Sequence, residues 1–485
     1  MKDNIRYSVI VNLIRTLCLT LLSFISFPYV CKALGSEMMG TYTWANSFVY
    51  YFLIIARLGI PNVAIRECSK VKNDKNVLSK KVQEFFIIQA ILTILSFGLM
   101  CAFVFSVKEL NSWKELIFIL SINFIVGVFS FEWVFIALEK HYFISFRSIF
   151  TLSLSTLFIL IMVKQPTDIW VYAVLAISST IFTVIINCLY LKKYVTFKYI
   201  GKYDFKQYII PLLVVFAVSF VLTIYNSTDR FVLGFLDKNK GEVASYSVGI
   251  KCIEIIITII TSLDSVFIPR ATHYYKHQNN FAFSNLTRYG FNICFFIAIP
   301  AIATMSVLAN QITNIISGGG EGYQNAPTAL IILVSMTLTF SLSDMIYQQV
   351  LLPMKQEKYY LYTLLMGAVL NVGGSISLGL IFKSNPSIGV ALATLIADII
   401  VLINLVYLAK DHVYKAIFTK NNLKLIVTGI IVGVSAIFIR QLFSNLSSVL
   451  QIIFVVLIEA FIYIGILIVL KEDLVMSFVK RIIKK

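Results

Sequence analysis

Acidic residues are scarce in this chain: 24 Asp and Glu stand against 41 Lys and Arg, a net charge of +17. Long polar connections are missing as well. No stretch between apolar runs exceeds about 20 residues, so there is no room for a soluble catalytic domain, a nucleotide-binding domain or a large external loop. The chain has no P-loop, no D-x-D pair and no G-x-S-x-G, so an enzyme is compatible with it only through an intramembrane site. No run of basic and aromatic residues forms a nucleic-acid patch. Cysteines Cys18, Cys31, Cys68, Cys101, Cys188, Cys252 and Cys294 form no C-x-x-C. They read as inert small hydrophobes rather than disulfides or ligands. His273 and His277 stand at i, i+4, but no nearby carboxylate or cysteine completes a metal site. Neither metal nor cofactor is expected.

What the chain has in abundance is apolar sequence. Of its 485 residues 59% are hydrophobic, with mean hydropathy +0.86. Fourteen apolar runs, from 7–30 and 41–65 through to 422–441 and 449–470, are each of a length to cross hydrocarbon. Lys2 and Arg6 precede the first, which is too long for a signal-peptide core and lacks a small-x-small cleavage site. The connections alternate between lysine-rich and lysine-poor. With a cytoplasmic N-terminus, inner connections and tails carry 29 Lys and Arg and outer ones 9. That asymmetry predicts an all-α multi-pass protein of the bacterial cytoplasmic (inner) membrane, both termini cytoplasmic. The outer segment Ser317–Gly322 has three consecutive glycines and no cation. Three cations lie deep in apolar runs and escape this sorting: Arg15, Arg57 and Lys251.

A weak internal repeat is visible. Gly40-Thr41-Tyr42 opens the second run, which exits through Arg66; Ala244-Ser245-Tyr246 opens the eighth, which exits through Arg270. The Tyr-to-Arg spacing is 24 residues in both, although Pro61 and Pro269 do not align. Two parallel six-helix halves follow, with residues 1–200 as the N-lobe, 201–412 as the C-lobe, and 413–485 as two further helices with a basic tail.

Polar groups inside the membrane are costly, about 2.5–3.5 kcal/mol for a central Arg, Lys or Asp, and should face a cavity or a partner. The first run carries Ser8, Asn12, Arg15, Ser23 and Ser26 on one helical face. Arg15 reads as an anion-binding cation or as half of a pair with a carboxylate from another helix. Arg57 precedes Leu58-Gly59-Ile60-Pro61, a kink signal, and reaches either a cavity or the headgroups. Lys251 and Glu254, at i, i+3, read as an intrahelical salt bridge or as a cavity cation tuned by its neighbour. Asp229 and Arg230, near the outer end of the seventh run, fit an interfacial ion pair as well as a binding role. Glu132, Asp264 and Asp344 are coupling or gating candidates, as Glu254, Asp229 and Arg230 are. Asp398 and Glu459 favour interhelical hydrogen bonds or ion pairs.

Several islands carry a family resemblance. They are Leu34-Gly35 with Gly40 and Tyr42; Leu58-Gly59-Ile60 with Arg66; Glu132 through Lys140 with Tyr142 and Arg147; Asp229-Arg230 with Tyr246-Ser247; and Gly322-Tyr323 with Ala326 and Leu330 through Leu333. In order and spacing they resemble the polysaccharide-transporter, Wzx-type O-antigen flippase family. The resemblance implies the multidrug/oligosaccharidyl-lipid/polysaccharide exporter (MATE-like) fold, two six-helix lobes in a V around a central cavity. It also implies transport of undecaprenyl-pyrophosphate-linked oligosaccharide to the outer leaflet by alternating access. Arg15, Asn12, Arg57 and Lys251 would then be substrate-binding. Membrane lipids and polysaccharide polymerase or assembly proteins are the further partners implied. O-antigen flippases often have twelve spans; fourteen is the number in lipid II flippases.

Four alternatives stand beside this reading. A lipid II-type flippase fits the span count. A cation-coupled drug exporter of the same fold predicts acids dominating the cavity. A glycan polymerase or ligase usually needs a sizeable outer loop, and a scaffold in a glycan-assembly complex is also compatible with the sequence.

Overall fold

Backbone in hydrocarbon must satisfy its own hydrogen bonds, and helices do so within one segment. In the computed structural model every apolar run is accordingly α-helical, and no strand occurs among the described residues. The structure describes residues 2–477, without the side chains of 2–10, 12, 13, 226 and 265. Contacts divide the chain into two units, Met1–Phe235 with Asn239–Gly241 and Leu236–Lys238 with Glu242–Lys485.

The first unit contains α1 (Lys2–Arg57), α2 (Ile60–Ser69), α3 (Lys75–Ser106), α4 (Lys108–Ser112), α5 (Lys114–Val128), α6 (Glu132–Ala137), α7 (His141–Met162), α8 (Ile169–Leu191) and most of α9 (Lys206–Leu236). Among the described residues, thirteen helical stretches are long and apolar enough to cross a membrane. The first of these, Ile14–Ser69, has 56 residues, about 84 Å as a straight helix against a hydrocarbon thickness of about 30 Å. It makes two passes. Gly35 interrupts α1 at φ 69° and ψ 173°, a conformation open essentially to glycine alone. On one side of it, the Tyr29 hydroxyl donates to the Leu160 and Val163 carbonyls, at 2.9 and 2.8 Å, where α7 ends. On the other, the Tyr42 ring lies 4.6 Å from that of Tyr172, where α8 begins. Residues 29 and 42 thus sit at the same end of the bundle, and the chain reverses between them. The sequence pattern placed a ten-residue connection at 31–40; the turn is instead a single glycine inside otherwise helical backbone. Counting this stretch twice gives the expected fourteen passes.

Buried acids lock the polar end of this unit. Glu84 on α3, 1% exposed, accepts from the Tyr208 hydroxyl at 2.7 Å and from the Asp204 amide at 2.9 Å, fixing the start of α9. Around it Phe85, Trp133, Phe135 and Tyr208 form an aromatic core.

The second unit contains α10 (Gly241–Ser262), α11 (Asp264–Lys276), α12 (Asn280–Val307), α13 (Ala309–Ile316), α14 (Ala326–Leu333), α15 (Met336–Ile346), α16 (Glu357–Ile381), α17 (Pro386–Leu408), α18 (Lys410–Ile417), α19 (Lys420–Leu442) and α20 (Ser448–Val469). A π-helical turn, Tyr347–Leu351, continues α15. Helices α16 and α17 approach closely at Gly389, where a Cβ would stand 2.4 Å from the Leu378 carbonyl oxygen. The two C-terminal passes pack onto α12: Leu308, Ala436, Ile439 and Val455 form one buried cluster.

The repeat has a structural counterpart. Tyr42, on the second pass, meets Tyr172 on the sixth. Tyr246, on the eighth, has its hydroxyl 3.4 Å from that of Thr394 on the twelfth. Both aromatic residues join equivalent passes of their own unit.

Candidate functional site

Helix α5 ends at Val128, and α6 begins only after Phe131, whose φ of 43° lies in the left-handed region. The break turns Glu132 toward α1 and α7. Its Oε1 lies 3.7 Å from Arg15 Nη1, and its Oε2 lies 3.3 Å from Arg147 Nη2. Arg147 is held from below: its Nη1 donates to the Asn187 side-chain carbonyl, while Asn187 Nδ2 donates to the Ser130 carbonyl in the break. The Phe143 ring lies 5.7 Å from its guanidinium carbon. One carboxylate therefore serves two guanidinium groups, leaving one positive charge. Arg147 is 2% exposed at its side chain, whereas Arg15 and Glu132 are 25% and 37% exposed. Arg147 is thus the buried partner of the acid and Arg15 the more accessible one. Arg15 Nε and Arg147 Nε are both buried without a hydrogen-bond partner.

Of the two sequence readings of Arg15, the structure shows the pairing with a carboxylate from another helix, which Arg15 shares with Arg147. Arg147 was missed, because it was sorted with the inner-surface cations on account of its place at the start of the fifth apolar run; it is buried. The signal that could have found it is its place inside the fifth apolar run, one helical turn past the start, where a cation needs a partner. The side chain of Asn12 lies outside the described residues, as do those of Ser8 and Asn226. Arg57 closes the last turn of α1 and is exposed.

In the second unit, Lys251 Nζ lies 2.8 Å from Glu254 Oε2, the intrahelical bridge, with side chains 12% and 49% exposed. Asp264, at the start of α11, and Asp344, on α15, are brought within hydrogen-bond reach of each other, with the Gln349 amide beside Asp264. Of the remaining acids, Asp229 and Asp398 are buried while Arg230 is partly exposed. Glu459 accepts from the Ser435 hydroxyl at 2.9 Å. His273 and His277 stack with ring centroids 4.2 Å apart. Outside the membrane-spanning stretches, Glu139 is held below the usual carboxylate range by Lys72, whose ammonium donates to it at 2.8 Å.

The profile of the family described as "Polysaccharide biosynthesis protein" matches residues 5–274. The chain belongs to the polysaccharide biosynthesis protein family. The MatE family profile matches residues 211–376, so the two together run through most of both units. No curated protein sequence matches the chain. Among solved structures, a lipid II flippase MurJ in an inward closed conformation shares 18% identity, with a TM-score of 0.74, over 95% of this chain and 99% of that one. An inward-facing multidrug resistance MATE transporter shares 16% identity, with a TM-score of 0.63, over 83% and 96%. A transporter of the same superfamily from Pyrococcus furiosus shares 14% identity, with a TM-score of 0.56, over 86% and 96%. At these identities the likeness establishes the fold.

This member of the polysaccharide biosynthesis protein family is thus a multi-pass membrane transporter of the multidrug/oligosaccharidyl-lipid/polysaccharide exporter superfamily. The first profile spans the whole Arg15–Glu132–Arg147–Asn187 cluster.

Proposed function

We propose that the protein is a flippase of the bacterial cytoplasmic (inner) membrane, with both termini cytoplasmic. Its substrate is an oligosaccharide repeat of an O-antigen, capsule or related polysaccharide, carried on undecaprenyl pyrophosphate. It moves this substrate from the inner to the outer leaflet by alternating access, without making or breaking a covalent bond. The observation that carries the reading is the two-arginine, one-glutamate cluster of the first unit. It leaves one positive charge, and a partly accessible guanidinium, at membrane depth for the pyrophosphate. Lys251 and Arg57 supply further cationic contacts, and the paired Asp264 and Asp344 are the groups that would carry a coupling proton.

The test is the double variant Arg15→Gln/Lys251→Gln, expressed at wild-type level in the host cell. Surface polysaccharide is lost on this reading, and normal polymer sinks it. A lipid II-type substrate is the second reading, favoured by the alignment of 95% of the chain with a lipid II flippase. Rescue of cells depleted of their own lipid II flippase separates the two.

A further inference from the structure

One end of the second unit holds a cleft of about 940 Å³ that the cation cluster does not explain. Its walls come from sequence features with a common chemistry. Helix α13 places Asn310, Gln311 and Asn314 on one face, three and four residues apart. Beyond it the glycine-rich segment turns with Gly318, Gly319 and Gly322 at φ 63°, 68° and 82°, positions that side chains resist. The turn is folded by its own backbone: the Gly319 amide donates to the Asn314 carbonyl at 2.8 Å, and the Gly320 amide to Ser317 at 3.1 Å. The opposite wall is the start of α20, where Gln451 accepts from Gln311 Nε2 at 2.9 Å and donates to the Ser444 and Leu446 carbonyls at 3.0 Å each. The cleft is thus built before any ligand arrives.

Its polar atoms point to what it holds. The carbonyl oxygen of Gln311 is buried without a partner. Asn310, Asn314 and Gln324 expose side-chain amides that make no hydrogen bond among the described residues. An amide presents an acceptor and two donors side by side, the match for neighbouring hydroxyls that each donate and accept. Pockets for drug-like ligands are mostly apolar; this one is lined by amides and hydroxyls. The single charged lining residue is Glu321, an anion, so a phosphate is repelled, and the apolar lining is confined to Tyr323, Pro327 and the glycines, too little to hold an acyl chain. The volume lies near the top of the range for small-ligand sites, about 300–1,000 Å³, which suits more than one sugar ring.

We propose that this cleft binds uncharged sugar residues of the transported glycan, apart from the cations that meet its pyrophosphate. The inference rests on the flippase reading for the source of the sugar. By the lysine asymmetry the cleft opens on the outer face, where the glycan arrives.

The test uses the purified full-length protein and saturation-transfer NMR. The probe is the free oligosaccharide repeat released by partial hydrolysis of the host cell's own surface polysaccharide. Wild-type protein transfers saturation to the sugar, and inorganic pyrophosphate does not compete. The variant Asn310→Ala/Asn314→Ala/Gln324→Ala alters exposed side chains, so its melting curve stays that of wild type while the transfer falls at least about fivefold. Undiminished transfer in that variant, displacement by pyrophosphate, or no transfer to wild type overturns the proposal. The flippase reading is judged separately, by polymer output of the Arg15→Gln/Lys251→Gln variant. Sugar binding with normal polymer in that variant removes the flippase reading and leaves the cleft.

Discussion

The two arginines on Glu132 should part company when each is replaced. Arg147→Met removes a guanidinium that is 2% exposed at its side chain and strands Asn187 and half of Glu132. Breaking a fully buried ion pair costs about 3–5 kcal/mol. Here Glu132 is 37% exposed and keeps Arg15 within 3.7 Å, so water and the second arginine compensate part of the loss. A cost of about 2–3 kcal/mol remains, which lowers the melting midpoint by roughly 5–10 °C for a unit of this size. Arg15→Gln alters a side chain that is 25% exposed and leaves the Glu132–Arg147 contact in place. Its melting midpoint should move by no more than about 3 °C, because a half-solvated pair contributes about 0–1 kcal/mol. Its polysaccharide output should nevertheless fall. The assay is thermal unfolding of detergent-purified protein followed by intrinsic fluorescence, alongside polymer output from the same strains. The reasoning is refuted if Arg147→Met melts as wild type, or if Arg15→Gln is the more destabilised of the two.

Other outcomes follow from the same geometry. Gly389→Ala forces α16 and α17 apart, since the new Cβ would stand 2.4 Å from the Leu378 carbonyl oxygen; about 1–3 kcal/mol of stability is lost, whereas Gly98→Ala, with open space around it, is neutral or mildly stabilising in a melting assay. Gly35→Ala meets no neighbour within 4 Å but takes a side chain into φ 69°, so it costs about 1–3 kcal/mol by backbone strain alone, read as a lower melting midpoint.

The number of passes was legible in the sequence because hydropathy acts on every pass independently. Gly35 was legible as an island but not as the whole turn, since a ten-residue stretch of mixed polarity around it reads as a connection. Tyr42 and Tyr246 marked a repeat by spacing alone, and their partners Tyr172 and Thr394 lie on equivalent passes of their own units. The cation cluster was half legible. Arg15 stood out because nothing in the topology accounts for it, and Glu132 because an acid in an apolar run is costly. Arg147 was concealed by its position, since a basic residue beginning a helix at the lysine-rich end has an ordinary explanation as an anchor. Asp264 and Asp344 were each visible, but contact across 80 residues of chain is a property of packing that spacing does not encode. Glu84, Glu242 and Glu472 drew no notice in or beside connections, yet each ties several groups: Glu472 accepts from the Asn292 and Asn421 amides, at 3.1 and 2.5 Å.

A protein that moves a lipid-linked oligosaccharide between leaflets makes the leaflet the observable. Cells depleted of the protein should be assayed for undecaprenyl-pyrophosphate-linked repeat units accessible to a membrane-impermeant glycan-modifying reagent, before and after opening the inner membrane. For a flippase, repeat units should accumulate that become accessible only after opening. Accumulation of single repeat units already accessible from outside contradicts it and points to a defect in polymerisation.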